Sequence, residues 1–139
     1  MSKLRIFTES EQAEILAICR DRFVDCGTHL AARHKYSYRV EAGRRVGFTR
    51  HDGYRHVKIN RVQHFEHRLC WLMRTGAFPA EQIDHVNGDK LNQSPGNLRA
   101  VSHQENSRNQ KRNSSNSSGH TGVYWHKQHN KWCARIKVD

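Results

Sequence analysis

Residues 107–121 read SRNQKRNSSNSSGHT, a run of Asn, Ser and Gly with scattered positive charge. Such a stretch cannot bury enough apolar surface to offset the entropy of ordering it. It confines the main packed core to the residues before it and leaves a short apolar-polar segment, 122–139, beyond it. It reads as a flexible linker or as an arm that tracks a charged strand. The whole chain agrees with this restriction: of 139 residues 35% are hydrophobic, and the mean hydropathy is −0.94. A thin core with large polar flanks is expected, in place of one well-filled globule.

Charge narrows the choice of partner. Lys and Arg total 24 against 13 Asp and Glu, a formal charge of +11. Such an excess favours a polyanion, of which nucleic acid is the commonest; the rival is a soluble protein with a basic surface. Cys19, Cys26, Cys70 and Cys133 form no CxxC pair, so a four-cysteine zinc site is not indicated. They are expected as reduced thiols in a cytoplasm, most of them in core positions. Met1–Thr8 is charged and lacks an apolar centre, and no run approaches the ~20 apolar residues of a membrane span. No secretory signal and no membrane association are therefore expected.

Four regions follow: an N-terminal helical segment (1–35), a core (36–110), a linker (111–121) and a hairpin (122–139). In the first, Ala13, Ile15, Leu16, Cys19, Phe23 and Val24 recur at helical spacing, predicting a helix over 10–24 capped by Thr8 or Ser10. Thr28–Lys35 reads as a second short helix. In the core, 45–49, 53–59 and 62–65 read as strands, and 66–74 as a buried helix ending at Gly76. Residues 82–86 and 97–101 read as a strand pair, with Asn87-Gly88 as a turn. Ser102 and Glu105 have capping-box spacing for a last helix. Residues 122–139 alternate apolar and polar around a turn at 128–130, predicting a two-stranded hairpin.

Asp84, His85, Asn97 and Asn106 form the constellation with chemical content. Hydrolysis of a phosphodiester needs a water nucleophile, an acceptor for its proton and a cation for the developing charge. An imidazole, with a reference pKa of about 6.5, can accept the proton beside a hard-cation site. Oxygen donors from Asp84 and Asn106 suit Mg2+, which keeps several positions for water and phosphate. Asn97, opening the second strand, can hydrogen-bond His85 or its backbone and fix the ring. Neighbours in a strand point to opposite faces, so Asp84 and His85 can serve one phosphate only if the strand ends or twists there.

Residues 78–109, FPAEQIDHVNGDKLNQSPGNLRAVSHQENSRN, resemble the HNH endonuclease motif of phage and intron-encoded homing enzymes. The matching elements are Asp84-His85, Asn87-Gly88-Asp89, Asn97-Leu98-Arg99 and Asn106. GYRHVKI and HRLCWLMRTG before them resemble the family's lead-in strands and helix, so the resemblance covers roughly 44–110. It implies an α+β fold: a ββα-metal HNH core, here with N-terminal helices and a C-terminal β-hairpin. It also implies Asp84 and Asn106 as ligands of one divalent ion (Mg2+, with Mn2+ as the alternative), His85 as general base and Asn97 as the residue that orients it. Many relatives have His as the last ligand; Asn106 fits the branch with Asn. Gln93-Ser94-Pro95 departs from the charged turn common in relatives. Asn87 and Asp89 read as turn residues, and His67 as a helix-start histidine packed on its own core.

Two flanking resemblances concern DNA. Residues 27–45 faintly resemble the second and third helices of a helix-turn-helix extending to about 46. Ala31 would be the tight-packing residue, Ser37 the cap, and Arg39, Arg44 and Arg45 the groove or phosphate contacts. The same residues can instead lead into the first core strand, since Gly43 weakens a recognition helix. The C-terminal hairpin resembles the first two strands of an APETALA-type DNA-binding fold, whose third strand and packing helix do not follow in this sequence. Trp125, Lys127, Lys131, Trp132 and Arg135 are its DNA-contact candidates, with Lys111, Arg112 and Arg99 elsewhere; two core tryptophans in an ordinary hairpin are the alternative.

The functional expectation is a phage homing or free-standing endonuclease. It would cut double-stranded DNA to 5′-phosphate and 3′-hydroxyl ends in a host cytoplasm, with dimerisation on DNA left open. The rivals are a catalytically silent DNA-binding regulator or accessory protein and a zinc module using some of the 11 histidines, none of which has finger-like spacing.

Overall fold

The computed structural model describes residues 5–109 and 115–135. The fold is α+β. It divides into two compact units, Met1–Asn106 and Ser107–Asp139.

The first unit opens with α1 (Glu9–Arg22). Thr8 caps it with a full capping box: Glu11 N donates to Thr8 Oγ1 at 3.2 Å, and Thr8 N to Glu11 Oε2 at 2.8 Å. These bonds satisfy donors that a helix start leaves open. The helix stops before Phe23, because Phe23 begins a strand. β1 (Phe23–Asp25) pairs antiparallel with β2 (Leu30–Ala32), in register Phe23↔Ala32. The expected helix over 28–35 is thus a strand. The reason is burial: Leu30, Ala31 and Ala32 are consecutive and all buried, which suits a strand covered on both faces. The helix-turn-helix is corrected with it. Residues 33–45 make isolated bridges, Ala31↔Arg45 and Ser37↔Val40, and Gly43 sits at φ 78° where a recognition helix would need a right-handed residue.

β3 (Phe48–Thr49), β4 (Arg55–Ile59) and β5 (Val62–Phe65) form a three-stranded antiparallel sheet in that order. Asn60 and Arg61, both at positive φ, make the tight turn between Ile59 and Val62. Gly47, at φ +80°, lets the chain pass so close to β4 that a Cβ there would lie 2.2 Å from the carbonyl oxygen of His56.

α2 (Glu66–Thr75) follows without a break and ends at Gly76 in the left-handed conformation, φ 85°. A helix this short is marginal alone. Its stability comes from packing: Leu69, Cys70 and Leu72 are fully buried among Ile15, Cys19, Phe23, Leu30, Val57 and Ile59. Truncating one such leucine typically costs about 2–5 kcal/mol. Cys19 and Cys70 are core residues, while Cys26 is exposed and Cys133 half-buried; burial pushes the Cys19 thiol up to about 12.

β6 (Gln82–His85) and β7 (Leu98–Val101) pair antiparallel, joined by residues 86–97, whose last turn is a 3-10 helix at Pro95–Asn97. α3 (His103–Asn109) leaves β7 through the expected box: Glu105 N donates to Ser102 Oγ, and Ser102 N to Glu105 Oε2. In the second unit, β8 (Val123–His126) and β9 (Lys131–Ala134) make the expected hairpin, with Trp125 opposite Trp132. Among the described residues no helix is long and apolar enough to cross a membrane.

Arg74, in the last turn of α2, ties three segments together. Its Nε and Nη2 reach Asp25 Oδ2 and Oδ1 at 2.6 and 2.8 Å, Nη2 also reaches Gly27 O at 2.7 Å, and Nη1 reaches Gln93 O at 2.5 Å. The guanidinium, foremost by its hydrogen bonds, holds the Asp25 carboxyl below its ordinary range against the opposing effect of burial. A carboxyl depressed in the folded state stabilises the protein above its unfolded pKa of about 3.9; that contribution is lost as pH falls through the lower folded value. Asp25→Asn is expected to cost about 2 kcal/mol at neutral pH. The difference from wild type should close on acidification below about pH 4, read by urea unfolding across pH. A difference unchanged by acid would contradict the ionic character of the pair.

Candidate active site

β6 distributes its residues by alternation. Ile83 and His85 are buried on one face; Gln82 and Asp84 are half-buried on the other. Asp84 lies opposite Arg99 of β7, whose Nε and Nη2 donate to its Oδ2 at 3.1 and 2.8 Å. Asn106, one turn into α3, donates from Nδ2 to Gln82 Oε1 at 2.6 Å. Gln82 and Asp84 share a face, so Asn106 stands over the same side of the strand as Asp84. Among the described residues no three His, Cys, Asp or Glu side chains gather as a metal cage. An ion here would rest on the oxygens of Asp84 and Asn106, and the rest of its shell would be water and phosphate. A hard two-oxygen set of that kind fits Mg2+.

His85 ends the strand. The residue is 5% exposed, and its ring packs edge-on against His67, with centroids 5.1 Å apart, and lies 6.0 Å from Tyr54. Nε2 is 2.9 Å from Gln93 Oε1. Among the described residues, the buried side-chain nitrogens without a partner are the two of His56 and Nδ1 of His126. Nδ1 of His85 makes no bond and is not among them, so it keeps access to solvent. His67 is different. Burial, followed by the neighbouring His85, Arg68 and His56, pushes its imidazole down to about 3; it stays neutral. Tyr54 links the two faces of the strand end: its phenol is raised by burial first and then by the charges of Asp52 and Asp84, while its ring borders His85.

The loop 86–97 is held by its own side chains. Asn97 Oδ1 accepts from Asn87 N at 3.0 Å, and Asn97 Nδ2 donates to Asn92 O at 2.8 Å. Asn87 and Asp89 each accept from the backbone two residues on, as turn-forming Asx side chains do. Asn97 therefore reaches His85 indirectly, through the adjacent backbone pair Val86 N to Asn97 O at 2.9 Å; its amide pins the loop and makes no bond to the ring.

The other expected contacts scatter. Arg45 needs correction as a DNA contact: its guanidinium is bound to buried Glu66 at 2.6 Å and to Leu91 O at 2.8 Å, so its charge is used inside the unit. Arg39 and Arg44 are exposed. Trp125, Lys127, Lys131, Trp132 and Arg135 are all exposed on the hairpin, the two indoles edge-to-face at 5.3 Å. Lys111 and Arg112 lie outside the described residues. Sequence reasoning passed over Glu66, Gln93 and Tyr54. Gln93 stood in the one segment that departs from the family pattern, which was its only signal; Glu66 and Tyr54 carried none.

Residues 64–108 match the family model described as HNH endonuclease. The chain is also 39% identical over 74 residues to Protein 3.8 of Escherichia phage T7, across 52% of this chain and 61% of that protein. It thus spans about six tenths of the length of this curated relative. No solved structure matches the chain significantly. The matched interval runs from the end of β5 through α2, the β6–β7 pair and most of α3; Asp84, His85 and Asn106 all lie within the stretch similar to the HNH endonuclease family model.

Proposed function

We propose that this chain is a metal-dependent DNA endonuclease that hydrolyses phosphodiester bonds to 5′-phosphate and 3′-hydroxyl ends. The observation that carries the reading is the placement of Asp84 and Asn106 over one face of β6, with the accessible Nδ1 of His85 at the end of the same strand. Asp84 and Asn106 would hold one divalent ion, Mg2+ or Mn2+. Bound there, the ion would polarise the phosphate and stabilise the leaving oxygen. His85 takes the proton of the attacking water at Nδ1. Asn97 keeps the strand end and its loop in shape. Arg99 steadies the Asp84 carboxylate and, 47% exposed, can also face a phosphate.

The substrate we infer is double-stranded DNA, on the chain's charge of +11 and on the cationic exposed side chains Arg39, Arg44, Lys127, Lys131 and Arg135. Lys111 and Arg112 would add phosphate contacts. The hairpin would dock as the strands of APETALA-type domains do, with Trp125 and Trp132 against sugars and bases. A free-standing or homing role in a phage fits the relative in Escherichia phage T7. A second reading, a silent DNA-binding accessory protein, is favoured by the Arg99 guanidinium already seated on Asp84 and by the burial of most of the His85 ring.

Plasmid nicking separates the two. Cleavage is expected with Mg2+ and is expected to stop with EDTA. His85→Ala should lose about a hundredfold or more in rate while its affinity for DNA stays as in wild type. Metal-independent binding without any nicking would leave the accessory protein as the answer. Binding is also expected to weaken steeply with salt. Lys131→Ala and Arg135→Ala should each flatten the slope of log K against log salt by about 1; unchanged slopes would remove the hairpin from the interface.

A further inference from the structure

Gln93 is fully buried, and both ends of its amide are committed. Nε2 donates to Lys90 O at 3.0 Å and to Glu66 Oε2 at 3.3 Å. Neither partner can donate in return. One is a carbonyl. The other is a buried carboxylate that already accepts from Arg45 and from the backbone N–H of Leu30. These acceptors decide which end of the amide is nitrogen, so the oxygen faces His85 Nε2 at 2.9 Å. An amide oxygen cannot donate, and therefore the proton of a neutral imidazole must be on Nε2 and the lone pair on Nδ1.

We propose that Gln93 is a positioning residue for His85: its amide, oriented by the Arg45–Glu66 ion pair, holds the imidazole in the Nε2–H tautomer and presents Nδ1 as the proton-accepting atom. The proposal rests on the reading of His85 as the base. The opposite tautomer would set an unprotonated Nε2 against the Gln93 oxygen. Flipping the amide to relieve that clash would turn its oxygen onto the Glu66 carboxylate and the Lys90 carbonyl. Arg45 thus acts on the ring from two side chains away. The ring nitrogen that this chain leaves unprotonated is also the one with access to solvent.

The test combines ring NMR with kinetics on the full chain. Long-range 1H–15N spectra near pH 8 report which ring nitrogen carries the proton, and comparison with His85→Ala assigns the His85 signals. Wild type is expected to show a protonated Nε2 and a bare Nδ1. Gln93→Met, close in size but without an acceptor for Nε2–H, should give mixed tautomers. It should also lower kcat by about ten- to a hundredfold, the range for losing an outer hydrogen-bond partner, with KM for DNA nearly unchanged. A proton on Nδ1 in wild type, or an unaltered tautomer in Gln93→Met, would overturn the proposal. If the Met variant does not fold, the wild-type spectrum decides. Cleavage retained by His85→Ala would sink the base assignment instead; the tautomer measurement, which needs no activity, would still decide the Gln93–His85 link.

Discussion

The Glu66 carboxylate sits at the first turn of α2 with no exposure to solvent. An unpaired charge there would cost several kcal/mol, so the surrounding chain has to supply partners. Leu30 brings a backbone N–H from β2, Arg45 its guanidinium from the segment before β3, and Gln93 its amide from the loop after β6. Three stretches distant in sequence are thereby fixed against the start of one helix. The position also suits an anion, because the free N–H groups of a helix N-terminus carry partial positive charge. The geometry around His85 draws on this centre, since Glu66 is, with Lys90 O, one of the two acceptors that orient the Gln93 amide.

Local signals were legible and distant ones were not. The Thr8 and Ser102 boxes span four residues each, and the stop at Gly76 needs only one, so the helix ends could be read from nearby positions. The terminal hairpin followed from alternation, and the β6–β7 pair from two short strand-like runs on either side of the Asn87-Gly88 turn. The segment 28–35 failed because two alanines suit a helix by propensity, while the structure buries them between layers, and burial outweighs propensity of this size. Arg45 was misread for a related reason. A basic residue in a basic chain looks like a DNA contact until its buried partner, 21 positions away, is known. At the candidate site the residue types could be named from the sequence, but their faces could not be related: nothing in Gln82 announced that it bridges Asp84's side of the strand to Asn106.

The rings near His85 set its electrostatic surroundings. A second imidazolium 5.1 Å away would repel a proton arriving there, and burial keeps His67 from becoming one. Beside Tyr54 stands a positive charge, the Lys90 ammonium, which lies 4.3 Å from the centre of that ring and donates to Asp52 O. It is placed over an aromatic face, where the ring quadrupole attracts it.

The fork of Arg74 has a consequence for how this protein breathes. Long surface connections usually sit at the low end of local stability and open independently of the elements they join. Here Gln93 O is clamped by the same guanidinium that grips Asp25 and Gly27 O, and Gln93 N donates to Thr28 O at 2.8 Å. To lift that middle part, the chain must release the end of α2 and the β1–β2 corner with it. The residues around His85 are thus part of the cooperative block formed by the interior, and amide exchange there should proceed by the same opening as exchange in α2.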